Sequence, residues 1–424
     1  MGQGDAGPDM GQGEVRTLDT RRRPVRALLL ENIHPDATAR LAKAGYEVET
    51  APRALSEDEL IGALPGVGLL GIRSGTQVTE RVLASAPDLL AVGAFCIGTN
   101  QIDLAAASRR GVAVFNAPFS NTRSVVELVI AEIISLARRL PEKNQKMHAG
   151  IWDKSAAGSH EVRGRTLGIV GYGNIGAQLS VLAESLGMTV YFYDIADKLA
   201  LGNARRCSTL TELLESVETV TLHVDGRPGN RGFFGEAEFA AMRPRSLFLN
   251  ASRGFVVDHA ALRRHIESGH IAGAAIDVFP DEPRGRGEEF TSQLRGLPNV
   301  ILTPHIGGST EEAQQDIGEF VAGKLHDYLT TGTTSLSVNM PQIALPAAVG
   351  THRLVHIHKN VPGVLAAINR VLAEHGVNVE GQMLGTRDEI GYAITDIGAE
   401  YSDEVLSQLR AMDVTIRLRT IRCA

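Results

Sequence analysis

Three short stretches of this chain set charged side chains among small or apolar neighbours: Asn250-Ala251-Ser252-Arg253-Gly254, Asp277-Val278-Phe279-Pro280-Asp281-Glu282-Pro283 and Thr303-Pro304-His305-Ile306-Gly307-Gly308-Ser309. Between them they offer the groups that removal of a hydride from an alcohol carbon requires. An imidazole titrates near neutrality and suits the hydroxyl proton, a role for which His305 is the candidate. A carboxylate hydrogen-bonded to that imidazole fixes its tautomer and raises its pKa, a place open to Glu282. The planar fork of Arg253 suits a substrate carboxylate beside the reacting carbon. Taken singly, each residue fits a structural place equally well: His305 as a hydrogen-bonder beside a helix, Glu282 as a turn acid, Arg253 as a cap.

A hydride needs an acceptor, and residues 167–176, LGIVGYGNIG, supply a means of holding one. Gly171, Gly173 and Gly176 are spaced G-x-G-x-x-G behind a short apolar run, the pattern of a buried strand turning into a helix. The first glycine permits the tight turn, the second admits a pyrophosphate to the backbone, and the third lets the helix pack on the strand. Free N–H groups at the helix start would hold the phosphates. The next strand, read at 189–193, stops at Asp194, which follows Gly176 by 18 residues, close to the ~20 at which a ribose-binding acid occurs. An ordinary βαβ unit with packing glycines and a turn Asp is the plainer alternative. The aligned features favour a dinucleotide, and Asp194 with no Arg directly after it favours NAD over NADP.

These loops must be presented by a sheet. Apolar runs at 220–223, 247–250, 271–277 and 300–302 alternate with helical segments, and each charged stretch follows one of them. In a parallel sheet the three stretches gather at one edge, facing the nicotinamide. Before the glycine loop the alternation predicts another α/β layer, with strands at 27–30, 46–49, 67–72, 90–93 and 113–115. Ser56 and Glu59 form an S-x-x-E capping box, and Thr79 opens a further helix. Arg73 stands where the third strand ends, a candidate for an anionic substrate group, although a lone Arg at a strand end is more often a surface ion-pair residue. Residues 122–140 read as one long helix joining the domains, and 310–330 as the helix that returns the chain to the first domain.

The ends differ from this pattern. Residues 1–23 have almost nothing to bury and read as a disordered extension, and 332–349 carry Thr, Ser, Pro and Ala without a clear period and read as a linker. From 350 to the C-terminus the order is βαββαβ, a ferredoxin-like arrangement able to fold alone. His356 and His358 share a strand face, but two imidazoles without a third ligand argue against a metal. The net charge of −7 is spread along 424 residues, 43% of them hydrophobic, so no basic face offers itself to nucleic acid. Cys96, Cys207 and Cys423 lie far apart with no C-x-x-C, which suits a reducing compartment. No apolar run approaches the ~18 residues of a membrane span, and the N-terminus lacks a signal-type core. A cytoplasmic protein with a small-molecule partner and no membrane partner is the expectation.

With NASRG, AAIDVFPDEP and LTPHIGGST, together with CIGTNQIDL at 96–104 and FNAPFSNTRSVVEL at 115–128, the chain resembles the D-isomer-specific 2-hydroxyacid dehydrogenases from about Arg26 to its C-terminus. The resemblance implies an α/β protein with a Rossmann-type NAD-binding domain at 121–308, a flavodoxin-like split substrate domain at 24–120 and 309–331, and an ACT regulatory domain at 350–424. It implies Arg253, Glu282 and His305 as the catalytic set. Gly171, Gly173, Asn174, Ile175, Gly176, Asp194, Ala251, Ser252, Asp277, Gly307 and Gly308 would line the NAD with Arg253 and His305, and Arg73, Ser74, Asn121, Lys154 and Arg253 would face the substrate. Gly75 stands where the family often has a second basic residue, a loss that Arg53 and Lys154 are candidates to offset. Residues 356–363 and 376–379 resemble the serine-binding kind of ACT domain, which implies L-serine held between paired domains by His358, Asn360 and Asn378. The activity implied is oxidation of 3-phospho-D-glycerate to 3-phosphohydroxypyruvate, the first step of L-serine biosynthesis, in a homo-oligomer that the resemblance makes a tetramer. A dehydrogenase for another D-2-hydroxy acid and an NAD-sensing binding protein are the alternatives. Trp152, the single Trp, falls in a predicted loop with Lys154 and suits either a neighbouring subunit or an anchor within its own chain.

Overall fold

The computed structural model describes residues 24–283, 287–346, 350–398 and 401–422. The extension read at 1–23 lies outside them, as do Cys423 and the last residues of the expected linker, 347–349. The first sheet consists of β1 (Arg26–Leu29), β2 (Glu47–Thr50), β3 (Val67–Ile72), β4 (Ala91–Ala94) and β5 (Ala113–Asn116), all parallel in the order β2-β1-β3-β4-β5. Every residue of β3, β4 and β5 is buried, as strands covered on both faces must be. The capping box at Ser56 and Glu59 is present, and the Thr79 hydroxyl accepts from the Val82 N–H.

The second sheet has seven parallel strands: β6 (Thr166–Val170), β7 (Thr189–Tyr193), β8 (Arg205–Arg206), β9 (Thr219–Leu222), β10 (Ser246–Asn250), β11 (Ile271–Ile276) and β12 (Val300–Leu302). Their order is β12-β11-β10-β9-β6-β7-β8, so the winding reverses between β6 and β9. A reversal of this kind leaves a crevice beyond the carboxyl ends of the strands, where α/β sheets take their ligands. Strand β8, two exposed arginines at the sheet edge, has no apolar pattern to announce it.

The long helix read over 122–140 is two helices. The first, Thr122–Ala137, ends before Arg139, whose φ of 53° turns the chain, and the second is Leu140–His148 with Pro141 in its first turn. Proline is comfortable only there in a helix, since it has no N–H to give. The second helix buries none of its residues, and Leu140, Met147, Ile151 and Trp152 are all exposed.

The third sheet is antiparallel: β13 (His352–Lys359), β14 (Val379–Arg387), β15 (Ile390–Ile397) and β16 (Thr415–Arg422), in the order β14-β15-β13-β16. Helices Val364–Glu374 and Asp403–Ala411 complete the βαββαβ order. One sheet face, with Leu354, Ile397 and Leu418, packs under these helices around Ile368, Leu372, Val405 and Leu409. The other face, with Val355, Ile357, Tyr392 and Ile394, shares a core with Ala27, Phe115, Leu325 and Tyr328.

The described chain forms two compact units, one of residues up to Pro118 and from Gln315 onward, the other Phe119–Gln314. Helix Glu311–Thr331 crosses from the second to the first. The ferredoxin-like tail therefore lies within the first unit. The stretch read as a linker is tied down over its described part: Asn339 accepts the Val114 N–H at 2.8 Å and donates to the Val112 carbonyl at 2.9 Å, while Ser337 donates to the Val114 carbonyl at 3.1 Å. Its polar residues serve the open edge of β5, a use that composition alone does not distinguish from solvation.

Candidate active site

Three strand ends build the catalytic loops. After β10, the Asn250 side chain accepts the Ser252 N–H at 3.0 Å and its hydroxyl at 2.7 Å, and donates to the Arg253 carbonyl at 3.1 Å. That plug curls the loop and presents Arg253, whose guanidinium donates to the Ser252 carbonyl at 2.7 Å. Gly254 is required by contact: a Cβ there would lie 1.9 Å from the Phe279 carbonyl carbon. The β10 loop is in this way pressed against the loop after β11, which carries Glu282.

Glu282 is fixed at both oxygens, one accepting the Phe279 N–H at 3.0 Å and the other 2.8 Å from His305 Nδ1. His305 sits in the left-handed region at φ 54°, an uncommon place for a non-glycine residue and one found where function holds it. Asp277 holds it there. Its carbonyl accepts the His305 N–H at 2.8 Å, one carboxylate oxygen accepts the Thr303 hydroxyl at 2.6 Å and the Ile306 N–H at 2.8 Å, and the other accepts the Gly307 N–H at 2.8 Å. Asp277 is thus the buried hub of the third loop, a part that its expected place along NAD did not suggest.

The hydrogen bond to Glu282, and its charge, raise the His305 pKa above the ordinary value despite desolvation. Burial pushes the Glu282 carboxyl up, but the hydrogen bond and charge of His305 and the Phe279 N–H outweigh it and leave it below the usual range. Glu132, in helix Thr122–Ala137, is buried, and burial with the nearby Asp277 charge lifts it to about 8. Nothing in the sequence marked it, because a single acid in an apolar helix reads as a surface position.

The glycine loop follows β6. Gly171 adopts φ 93°, and a Cβ on it would lie 2.5 Å from the His223 carbonyl oxygen. A Cβ on Gly176 would meet the Gly171 oxygen at 2.3 Å, whereas one on Gly173 would meet no atom within 4 Å. Packing therefore explains the first and third glycines and leaves the second to an incoming group. Helix Asn174–Ser185 starts at Gly173 with no side-chain cap, so its first N–H groups remain for a phosphate. Asp194, just past β7, accepts the Tyr172 N–H at 2.8 Å and so joins the acid to the glycine loop.

Arg253, Glu282, His305, Asp277, Asn121, Lys154 and the glycine loop belong to one unit, with Asn121 beside Gly308; Arg73, Ser74, His358, Asn360 and Asn378 belong to the other. The loop bearing Arg73 is shaped by Glu31, whose carboxylate accepts the N–H groups of Arg73, Gly75 and Thr76 at 3.1, 2.8 and 2.9 Å. Arg53 is forked onto Glu59 at 2.7 and 3.1 Å. His358 is buried with Nε2 unpartnered, while Asn360 and Asn378 are exposed.

Residues 130–307 match the family model of the D-isomer specific 2-hydroxyacid dehydrogenase NAD binding domain, and residues 354–417 that of the AHAS small subunit-like ACT domain. The chain is 50% identical to the D-3-phosphoglycerate dehydrogenase of Haemophilus influenzae, over 94% of this chain and 97% of that one. It belongs to the D-3-phosphoglycerate dehydrogenase family. Another member, from Dictyostelium discoideum, is 48% identical over 94% of this chain. Among solved structures, the TT0316 protein of Thermus thermophilus superposes with a TM-score of 0.66 at 29% identity, covering 72% of this chain and 97% of that one. As in the family at large, the cofactor is NAD, and the bare Gly173, the uncapped helix and Asp194 fit its pyrophosphate and ribose.

Proposed function

We propose that the protein oxidises 3-phospho-D-glycerate to 3-phosphohydroxypyruvate with NAD in the cytoplasm, the first step of L-serine biosynthesis. The observation that carries the reading is the 2.8 Å pairing of His305 Nδ1 with Glu282 in the loops beside Arg253. Glu282 holds the imidazole so that Nε2 takes the proton of the substrate C2 hydroxyl, and its charge stabilises the imidazolium that results. Arg253 clamps the carboxylate next to that carbon and fixes the face presented. NAD supplies the hydride acceptor. Arg73 and Ser74 are proposed to take the phosphate end, and Asn121 and Lys154 remain proposed substrate contacts. The 50% identical D-3-phosphoglycerate dehydrogenases and the ACT-type tail favour this substrate over other D-2-hydroxy acids.

L-Serine is proposed to bind between paired tails through His358, Asn360 and Asn378 and to lower the rate. The exposed apolar residues of helix Leu140–His148 and the loop with Trp152 support a homo-oligomer, for which a tetramer is the proposed form. The test is a steady-state assay with NAD and a panel of D-2-hydroxy acids. Highest kcat/KM with 3-phospho-D-glycerate is expected; a higher value with an unphosphorylated acid would overturn the substrate assignment.

A further inference from the structure

We propose a second anion site, for a small phosphate ester bearing a hydroxyl group, at the edge of the seven-stranded sheet opposite the catalytic loops. A cavity of about 240 Å³ opens there, lined by Arg139, Arg165, Arg243, Arg245, His160 and Asn299 among others. Arg165 directly precedes β6 and Ser246 begins β10, so the cavity lies at the amino ends of strands whose carboxyl ends carry Gly171 and Arg253.

The cavity carries more positive charge than its own acids neutralise. Arg139 is forked onto Glu142, and Arg165 is 3.1 Å from Glu218. Arg165 Nε is nevertheless buried with no hydrogen-bond partner. Among the described residues Arg243 and Arg245 have neither a side-chain hydrogen bond nor an ion pair. The Arg139 and Arg245 guanidinium groups converge on Gly158, where a Cβ would meet Arg139 Nη1 at 3.0 Å and Arg245 Nη2 at 3.6 Å. The uncommitted Arg245 fork, beside the Arg139 Nη1 that Glu142 leaves over, matches a phosphate.

Both arginines also occupy backbone positions that disfavour them. Arg139 has φ 53° and Arg245 φ 66°, conformations that glycine adopts freely and a side chain adopts at a cost. The backbone bonds at these points, from Arg139 N to the Leu136 carbonyl and from Arg245 N to the His270 carbonyl, are ones any non-proline residue would make. What arginine adds at position 245 is its charge in the cavity. Asn299 narrows the ligand class. Its amide NH2 donates to the Leu136 and Ala272 carbonyls, which fixes the orientation and leaves Oδ1 buried without a donor. A hydroxyl on the occupant supplies that donor.

The test uses the full chain and inorganic phosphate as the probe, titrated calorimetrically at low ionic strength into the parent, Arg245→Gly, Arg243→Ala and Arg73→Ala. Arg245→Gly removes no side-chain bond and relaxes the backbone, so its melting temperature without phosphate should equal or exceed that of the parent. Loss of charge-assisted bonds predicts about tenfold weaker phosphate binding in Arg245→Gly and Arg243→Ala. Arg73→Ala should retain the binding, and turnover of Arg245→Gly should match the parent. Parent-like phosphate affinity in Arg245→Gly, or loss of the only binding event in Arg73→Ala, would overturn the site.

Discussion

His305 is held from two directions, by the Glu282 carboxylate at its ring and by the Asp277 carbonyl at its N–H. Oxidation needs the imidazole neutral, so the rate should rise with pH through the His305 pKa, which Glu282 places above the ordinary value of about 6.5. Glu282→Gln removes the charge that favours the imidazolium. The rising limb of log kcat/KM against pH should then move to lower pH while kcat falls, and an unmoved limb would contradict the pairing. Asp194→Ala should narrow the preference for NAD over NADP, read as the ratio of the two kcat/KM values, because the acid that repels a 2′-phosphate is gone. An unchanged ratio would remove Asp194 from the ribose. These side chains were legible because residue type and position after a strand select them. Glu31 was not: its carboxylate meets three backbone N–H groups 42 to 45 residues away, a relation with no local signature.

Elements were most legible where an apolar run fixes them, as in the strands of both parallel sheets, and least where backbone geometry intervenes. Arg139 in the left-handed region divides the helical pattern of 122–140, although Pro141 was visible as a first-turn residue. The stretch 332–346 lacked a period because its polar groups serve β5. Helix Thr122–Ala137 carries a further consequence through Glu132, whose pKa is raised from 4.5 to about 8 in the folded chain. The folded state then binds a proton that the unfolded state loses above about pH 4.5, so this group's stabilising share is present at acid pH and lost as pH rises toward 8. Glu132→Gln should melt progressively higher relative to the parent between those pH values. A difference in melting temperature that stays constant across the range would show that the acid does not titrate there.

For the whole molecule, the tail is packed more firmly than a tethered module. Arg353, fully buried, forks onto Asp396 at 2.7 Å through both nitrogens and donates to the Thr331, Leu345 and Pro346 carbonyls. Tyr392 donates to the Gly332 carbonyl at 2.7 Å, and the Arg419 guanidinium lies 4.2 Å from the Tyr328 ring centroid. The order βαββαβ was readable from the chain, but β13 is buried on both faces, which its alternation did not disclose. Arg353→Ala leaves Asp396 buried without its partner and should destabilise the first unit by about 3 to 5 kcal/mol in denaturant unfolding; a loss below about 1 kcal/mol would mean the pair adds little. Such docking would give the proposed serine signal a packed route to helix Glu311–Thr331, and on that proposal Asn360→Ala should abolish both serine binding and inhibition while keeping the basal rate. The substrate hydroxyl proton is proposed to leave through His305. The most direct test of that role is the rate of NADH formation from 3-phospho-D-glycerate and NAD by the parent and by His305→Ala, alongside NADH affinity. Turnover of His305→Ala should fall by about two to four orders of magnitude with NADH binding retained, and nearly full turnover in that variant would rule out the imidazole as the base.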